Sequence, residues 1–235
     1  MSVVSACKVA AKPKPIVVTA MAEAAYAASA SPKHRKQFGQ YFTPPALASL
    51  MANWCLENNP RSVLDPAVGT GALVRAFIDA GASAQFVAYE KDESIADYCD
   101  VPPERVTLRR EDFLLCQREE YFDAVTMNPP YIRHREFEGY EATRATLSLS
   151  TGHIIPPSAN LYIYFSVKAA LKLKHGGRAA FLIPTEWMNS NFGLSFKNYL
   201  LQSDLLREIV LFSGCSNVFE GALTTASVLL IERTK

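Results

Sequence analysis

Short apolar runs and segments of helical periodicity alternate along residues 61–235. The apolar runs cover 62–64, 85–89, 105–108, 122–126, 178–183, 207–212 and 225–231, and runs of this length rich in Val, Ile, Leu and Phe read as strands. Apolar positions three and four apart fill several of the gaps, at 72–80, 94–99, 160–174 and 191–202, and predict helices there. A strand, a helix and a further strand in close succession fold as a right-handed crossover onto a parallel sheet. The pattern therefore predicts an α/β fold, a Rossmann-like, doubly wound, mainly parallel sheet of seven strands. About a dozen residues without a helical pattern join the last two runs, so the seventh strand is expected to return antiparallel to its neighbour.

The segment ahead of this pattern has a different character. Residues 1–37 are rich in Ala, Ser, Lys and Pro, and Lys12-Pro13-Lys14-Pro15 cannot hold a regular helix or a central strand. Residues 20–30 have helix propensity but few large apolar groups to bury, so a helix there depends on packing elsewhere. We expect 1–37 as a loosely held arm and 38–235 as one catalytic-sized domain. Lys33, His34, Arg35 and Lys36 form a basic cluster that reads as a solvated charge run, or alternatively as a contact for phosphates.

Composition narrows the class without choosing a function. With 49% hydrophobic and 20% charged residues over 235 positions, the chain can bury a self-sufficient core and is neither disordered nor fibrous. A formal net charge of +1 excludes a uniformly basic nucleic-acid coat but leaves room for a local basic face. Cys7, Cys55, Cys99, Cys116 and Cys215 are scattered, with neither a C-x-x-C pair nor a metal-like grouping, so reduced thiols and no metal are expected. No apolar run approaches the roughly 20 residues that span a bilayer, and the start lacks a signal-peptide arrangement. The sequence reads as a soluble, cytoplasmic protein.

The first chemical signal lies where a strand gives way to a helix, in Leu64-Asp65-Pro66-Ala67-Val68-Gly69-Thr70-Gly71. Ligands bind at that edge of a doubly wound sheet. Gly69 and Gly71 let the backbone turn tightly and pass a ligand with no Cβ in the way, and Asp65 sets a carboxylate beside it, suited to an ammonium group. A structural turn that only needs positive φ would use the same glycines. The spacing to Glu90, in Tyr89-Glu90-Lys91-Asp92 at the next strand end, favours a ligand, because an acid there accepts hydrogen bonds from ribose hydroxyls. Lys91 and Asp92 read as solvent residues. After the third strand, in Arg110-Glu111-Asp112-Phe113, Asp112 is suited to accept from an adenine amino group while Phe113 flanks the ring. Three strand ends thus describe one adenosyl ligand. A nicotinamide dinucleotide fits less well, since G-x-G-x-x-G would need glycine where Val74 stands.

The most specific signal is Asn128-Pro129-Pro130-Tyr131, directly after the fourth apolar run and so beside the same pocket. Two prolines give a rigid turn whose carbonyls are not consumed by secondary structure. An amide side chain and a free carbonyl together can accept both hydrogens of a planar amino group, drawing its nitrogen toward tetrahedral geometry and freeing the lone pair. Tyr131 is placed to stack on the base that carries the amino group, which must leave its duplex to reach a buried cofactor. A Pro-Pro turn that merely closes a strand is the bland alternative.

In these motifs and their order the chain resembles the amino-methylating, adenine-specific DNA methyltransferases of the gamma arrangement, in which the cofactor region precedes the catalytic motif. The resemblance covers roughly 37–235. Its parts are Gln40-Tyr41-Phe42-Thr43-Pro44, the loop Asp65 to Gly71, Glu90, Asp112-Phe113 and Asn128-Pro129-Pro130-Tyr131. Later come Asn160-Leu161-Tyr162, Gly176-Gly177-Arg178 leading into Phe181-Leu182-Ile183-Pro184, and Val218-Phe219. The resemblance implies the class I methyltransferase fold, S-adenosylmethionine as cofactor, and the N6 amino group of adenine in DNA as acceptor, within a restriction-modification or related system. It implies that Tyr41, Phe42 and Thr43 close over the methionine portion, that Asp65 holds its amino group directly or through water, and that Ala67, Gly69 and Gly71 form the loop beside it. Glu90 takes the ribose, Asp112 and Phe113 the adenine. Asn128 and Pro129, carried on the turn with Pro130, activate the target amino group, and Tyr131 with Phe219 sandwiches the extruded base.

Members of this group usually continue into a target-recognition domain, whereas this sequence ends at Lys235, soon after the last apolar run. The expectation is a catalytic domain that binds DNA weakly and without sequence preference by itself. A specificity domain or subunit would then read sequence, or the loop 132–158, with Arg133, His134, Arg135, Arg144 and His153, would contact DNA in its place. Enzymes that methylate release-factor glutamine share the Asn-Pro-Pro-Tyr motif, and RNA amino methylation is a further alternative. The Gln40 to Pro44 segment and the Asp65-Pro66 opening favour the DNA group. A binding subunit without turnover is a third reading, against which every catalytic position is intact.

Overall fold

The computed structural model describes residues 21–212 and 226–234. Seven strands, β1 (Ser62–Asp65), β2 (Gln85–Tyr89), β3 (Val106–Arg109), β4 (Phe122–Met127), β5 (Leu173–Pro184), β6 (Leu206–Leu211) and β7 (Ala226–Glu232), form one sheet. Their order is β3-β2-β1-β4-β5-β7-β6. Strands β1 to β5 pair in parallel, and β7 runs antiparallel between β5 and β6. This is the doubly wound sheet that the alternation predicted, with the antiparallel seventh strand. The strand order reverses between β1 and β4, so the carboxyl ends of β1, β2, β3 and β4 meet at one crevice, where ligands bind in open α/β sheets.

Both faces of the sheet are covered, which is why its inner strands read as continuous apolar runs rather than alternating ones. On one face Val63, Ala124, Ala180 and Leu182 pack under α3 (Pro45–Leu56) and α4 (Ala72–Asp79), and a single-turn helix, α5 (Glu93–Ala96), follows β2. On the other, Leu64, Val125, Phe181 and Ile183 pack against α7 (Leu161–Leu171) and α8 (Leu194–Gln202). Nine of the eleven residues of α7 are buried, so its apolar positions run all round the helix and blur the period.

Several elements depart from the expectation. The helix expected over 160–174 stops at Leu171, and β5 starts at Leu173, because Phe122 on β4 already pairs with Leu173. The region 191–202 begins as a 3-10 turn, Asn191–Gly193, before α8. The segment 132–158, expected as a loop, holds a 3-10 turn, His134–Glu136, and a helix, α6 (Glu141–Thr151). Only Leu147 of α6 is buried, so the helix leaves almost no apolar stripe to read. The connection between the last two strands, 213–225, lies outside the described residues.

The described part of the expected arm differs as well. Residues 21–37 form α1 (Met21–Ser29) and α2 (Pro32–Gln37). Tyr26 is 1% exposed and Glu23 3%. Ser31 caps α2 through its hydroxyl, which accepts from the His34 N–H, and Pro32 supplies the first helical residue. Polar contacts made by Glu23, described below, supply what the alanine-rich helix lacks in apolar area. Among the described residues no helix is long and apolar enough to cross a membrane.

Candidate active site

A cleft of about 880 Å³, open to solvent, lies at the carboxyl ends of β1 to β4. Tyr41, Phe42, Thr43, Ala67, Gly69, Glu90, Asp112, Phe113, Asn128 and Pro130 all line it. Four further residues singled out in the sequence, Asp65, Gly71, Pro129 and Tyr131, sit behind the lining.

The turn after β1 builds the first wall. Gly69 has φ +53° and Gly71 φ +91°, a left-handed region costly for a side chain. A Cβ at Gly71 would lie 2.5 Å from Val101 Cγ1, so this glycine is required by packing behind the loop and by the start of α4. Asp65 is fully buried; one oxygen accepts from the Ala67 N–H at 3.2 Å and the other has no partner. Burial pushes its pKa up to about 7, against the Ala67 bond and with help from the charge of Glu90. An orphaned carboxylate oxygen in such a place costs free energy unless a donor arrives.

Glu90, after β2, bridges two loops: it accepts from the Gly69 N–H at 3.1 Å and from the Asp92 N–H at 2.9 Å. Burial raises its pKa in spite of these two bonds. Asp112, after β3, accepts from the Leu114 N–H at 2.8 Å through one oxygen, and from the Tyr140 hydroxyl and Lys91 Nζ through the other. Lys91 is therefore no bystander. It lines the cleft, and although desolvation disfavours its charge, the bond to Tyr140 and the carboxylate of Asp112 hold its pKa above the ordinary value. Tyr140 lines the same cleft from the segment 132–158. The Phe113 ring is buried against Tyr89 and Phe165, while Lys168 Nζ donates to the carbonyls of Phe113, Leu114 and Cys116 and so fixes the turn that carries Asp112.

Asn128 follows β4 and faces the segment 38–44. Its side-chain nitrogen donates to the Tyr41 carbonyl at 2.7 Å and to Thr43 Oγ1 at 3.1 Å. A carbonyl can only accept, so the orientation of the amide is decided, and Oδ1 is left buried with no partner. Tyr131 donates its hydroxyl to the Leu182 carbonyl at 3.1 Å and stacks one face on Tyr41, with ring centroids 5.3 Å apart. Phe219, expected opposite Tyr131, lies outside the described residues.

Four residues at or beside the cleft play parts that the sequence did not disclose. Lys91 and Asp92 read as solvent residues, yet Asp92 is 6% exposed. Tyr140 stood in an unpatterned stretch. Gln40 was noted only as part of a motif, and here its amide donates to Asp92 at 2.7 Å.

The family model described as Eco57I restriction-modification methylase matches residues 83–219, more than half of the chain. The chain belongs to that family. A second model, described as N-6 DNA Methylase, matches residues 24–97. The type II methyltransferase M.AccI of Acinetobacter calcoaceticus is 34% identical over 219 residues, covering 91% of this chain and 40% of that protein. The chain thus spans well under half the length of this curated relative. Among solved structures, the type IIG restriction endonuclease BpuSI superposes with a TM-score of 0.66 at 16% identity, over 90% of this chain and 27% of that one. An S-adenosylmethionine-dependent O-methyltransferase of Thermotoga maritima superposes with a TM-score of 0.54 at 19% identity, over 83% and 68%. At these identities the likeness is one of fold, the class I methyltransferase fold.

Proposed function

We propose that the chain transfers a methyl group from S-adenosylmethionine to the exocyclic N6 amino group of adenine in DNA, as the methylating part of a restriction-modification or related system. The observation that carries this reading is the Asn128 amide, whose nitrogen is held by Tyr41 and Thr43 while its oxygen is buried and unpartnered at the cleft. An acceptor fixed in advance stabilises developing positive charge on a nitrogen without reorganising during the reaction.

The residues at the cleft fit the cofactor. Glu90 retains lone pairs for ribose hydroxyls, Asp112 and Phe113 offer an acceptor and an aromatic wall for adenine, and the orphaned Asp65 oxygen suits an ammonium group, reached through water because Asp65 lies behind the lining. Tyr41, Phe42 and Thr43 wall the methionine end, with Ala67 and Gly69 opposite. When bound, S-adenosylmethionine supplies a methyl group on a positively charged sulfur. Asn128 Oδ1 would accept one hydrogen of the target amino group and the Pro129 carbonyl the other, exposing the nitrogen lone pair for attack on that methyl carbon. Asn128 Oδ1 and the Pro129 carbonyl would hold the amino group as it gains the methyl group and positive charge, the sulfur would keep the electron pair of its bond to that methyl group, and the surplus proton would pass to solvent. Tyr131 and Phe219 are assigned to the extruded base.

DNA as substrate is supported by the two matched families and by the curated methyltransferases. The order of the motifs supports the gamma arrangement. Sequence reading is assigned to a specificity domain or subunit, and the work to the cytoplasm. The test incubates the protein with methyl-labelled cofactor and unmodified DNA, RNA or a glutamine-containing release-factor fragment. Label recovered as N6-methyladenine from DNA, and lost in Asn128→Ala, is expected; label in RNA or protein alone overturns the reading.

A further inference from the structure

Asp92 stands two residues beyond Glu90 and is buried, although nothing in the proposed chemistry uses it. Each of its carboxylate oxygens takes two donors. One accepts from the Ser94 N–H at 3.1 Å and the Ser94 hydroxyl at 2.7 Å. The other accepts from Gln40 Nε2 at 2.7 Å and meets His34 Nε2 at 2.7 Å. Gln40 is itself oriented, since its oxygen accepts from the Tyr26 hydroxyl of α1 at 2.7 Å. The Asp92 N–H, meanwhile, donates to Glu90. These bonds hold the Asp92 pKa below its ordinary value in spite of burial.

One residue thereby joins α1, α2 and the segment 38–44 to the loop that presents Glu90. A second anchor repeats the arrangement on the glycine loop, where Glu23 of α1 accepts from the Thr70 hydroxyl and pairs with Arg75. Residues 21–44 are thus strapped to both loops that flank the cleft, and Phe38, Gly39, Gln40, Tyr41, Phe42 and Thr43 form the wall that the strap carries.

We propose that Asp92 is a positioning residue, which latches the N-terminal strap over the cofactor cleft and couples closure of that wall to the orientation of Glu90. The inference rests on the reading of the cleft as a cofactor site. With the latch open, the ligand loses the wall at its methionine end and the fixed carboxylate at its ribose, and the Asn128 amide loses the Tyr41 and Thr43 partners that the strap carries.

The test is a swap of charge across the latch. Gln40→Glu sets two carboxylates against each other, and Asp92→Asn removes the anionic acceptor from Gln40 and His34. In the double variant the amide introduced at position 92 donates to the carboxylate introduced at position 40 and the pair re-forms. Each single variant should weaken binding of S-adenosylhomocysteine roughly tenfold, as expected for loss of a hydrogen bond to a charged group, and the double variant should recover to within about threefold of the parent. In turnover the single Asp92→Asn change should raise the cofactor KM and also lower kcat, because the strap carries the Tyr41 and Thr43 partners of Asn128, and the double variant should restore both. Amide hydrogen exchange over residues 32–44 should quicken in each single variant and slow again in the double. Unchanged exchange and affinity in the single variants overturns the latch, and so does damage that the double variant fails to repair. Failure of the parent protein to bind S-adenosylhomocysteine overturns the cofactor reading instead, and the exchange measurements still decide whether the latch exists.

Discussion

The Asn128 side-chain nitrogen donates to the Tyr41 carbonyl at 2.7 Å across 87 residues of sequence, so the turn after β4 holds the segment that walls the opposite side of the cleft. The same bond fixes which end of the amide faces a substrate. Asn128→Ala is expected to lower methyl transfer by at least about a hundredfold, the scale seen when one preorganised polar group is removed from a reacting centre. Cofactor affinity should stay within a few fold, since the Tyr131 N–H bond to the Gly39 carbonyl and the Gln40 bond to Asp92 still hold the segment that carries Tyr41 and Thr43. Single-turnover rates beside calorimetric titration with S-adenosylhomocysteine separate the two effects, and full activity in the variant would sink the mechanism.

Asp65 gives a pH dependence with a definite sign. Burial raises its pKa from 3.8 to about 7 in the folded chain. Below about pH 4 both folded and unfolded chains hold the proton, so this group's contribution to stability is greatest there. Between about pH 4 and 7 the unfolded chain releases the proton more readily, so stability from this group falls as pH rises and is flat above that window. Asp65→Asn should remove that slope in urea unfolding. If the ionised carboxylate holds an ammonium group, affinity for S-adenosylhomocysteine should climb through pH 7 in the parent and be weaker, with a smaller climb, in the variant. Burial of Glu90 moves its pKa in the same direction, so part of the climb should survive.

The sheet and the three strand-end acids were legible because they rest on local features: apolar runs of strand length, glycines where φ is positive, acids at fixed distances. What escaped depends on partners far away in sequence. Asp92 looks like any acid after a strand until Gln40 and His34 arrive from 52 and 58 residues upstream. Residues 21–37 looked loose because α1 is held by Glu23 on Thr70 and Arg75, which no count of apolar positions reveals. The helix α6 was hidden by its polarity, and with it the placement of Tyr140 at the cleft.

Tyr140 and Lys91 both bond one oxygen of Asp112, the carboxylate assigned to adenine, and the Leu114 N–H bonds the other. An incoming amino group must share or displace the Tyr140 hydroxyl. Tyr140→Phe keeps the ring that packs on Phe137 and removes the competitor. Affinity for S-adenosylhomocysteine should therefore rise, by up to about tenfold if one net hydrogen bond no longer has to be broken. Weaker binding in calorimetry would show instead that the hydroxyl helps to hold the ligand.

Gly71 and Gly69 should respond differently to alanine. At Gly71 a Cβ meets Val101 at 2.5 Å with φ +91°, whereas at Gly69 the nearest neighbour, Ile95, lies 3.6 Å away with φ +53°. Gly71→Ala should cost stability by roughly 1–3 kcal/mol from the backbone conformation alone, and more from the overlap. Gly69→Ala should cost less in unfolding and show its effect in ligand binding, because Gly69 lines the cleft. Equal losses of stability, measured by denaturant unfolding, would contradict this division.

Arg133 and Arg135 are exposed on the 3-10 turn that follows the Asn-Pro-Pro-Tyr motif. The turn is tied down on both sides, since the His134 N–H donates to Asn160 Oδ1 at 3.2 Å and the Leu161 N–H to the Ile132 carbonyl at 3.0 Å. Two cationic side chains are thus carried next to Pro130 and Ile132, which line the cleft, and are offered to the backbone of a nucleotide bound there. Contacts of this kind position a duplex without reading its bases, and each one releases counterions on binding. Replacing both arginines by alanine should weaken DNA binding to the same degree for every sequence tried. It should also reduce the slope of log affinity against log salt by about one to two. Cofactor affinity should not change, because neither residue lines the cleft. Fluorescence titration of labelled duplexes of several sequences over a range of salt concentrations gives the slope directly. An unchanged slope would place the phosphate contacts elsewhere, and a loss confined to one sequence would make these residues readers of bases.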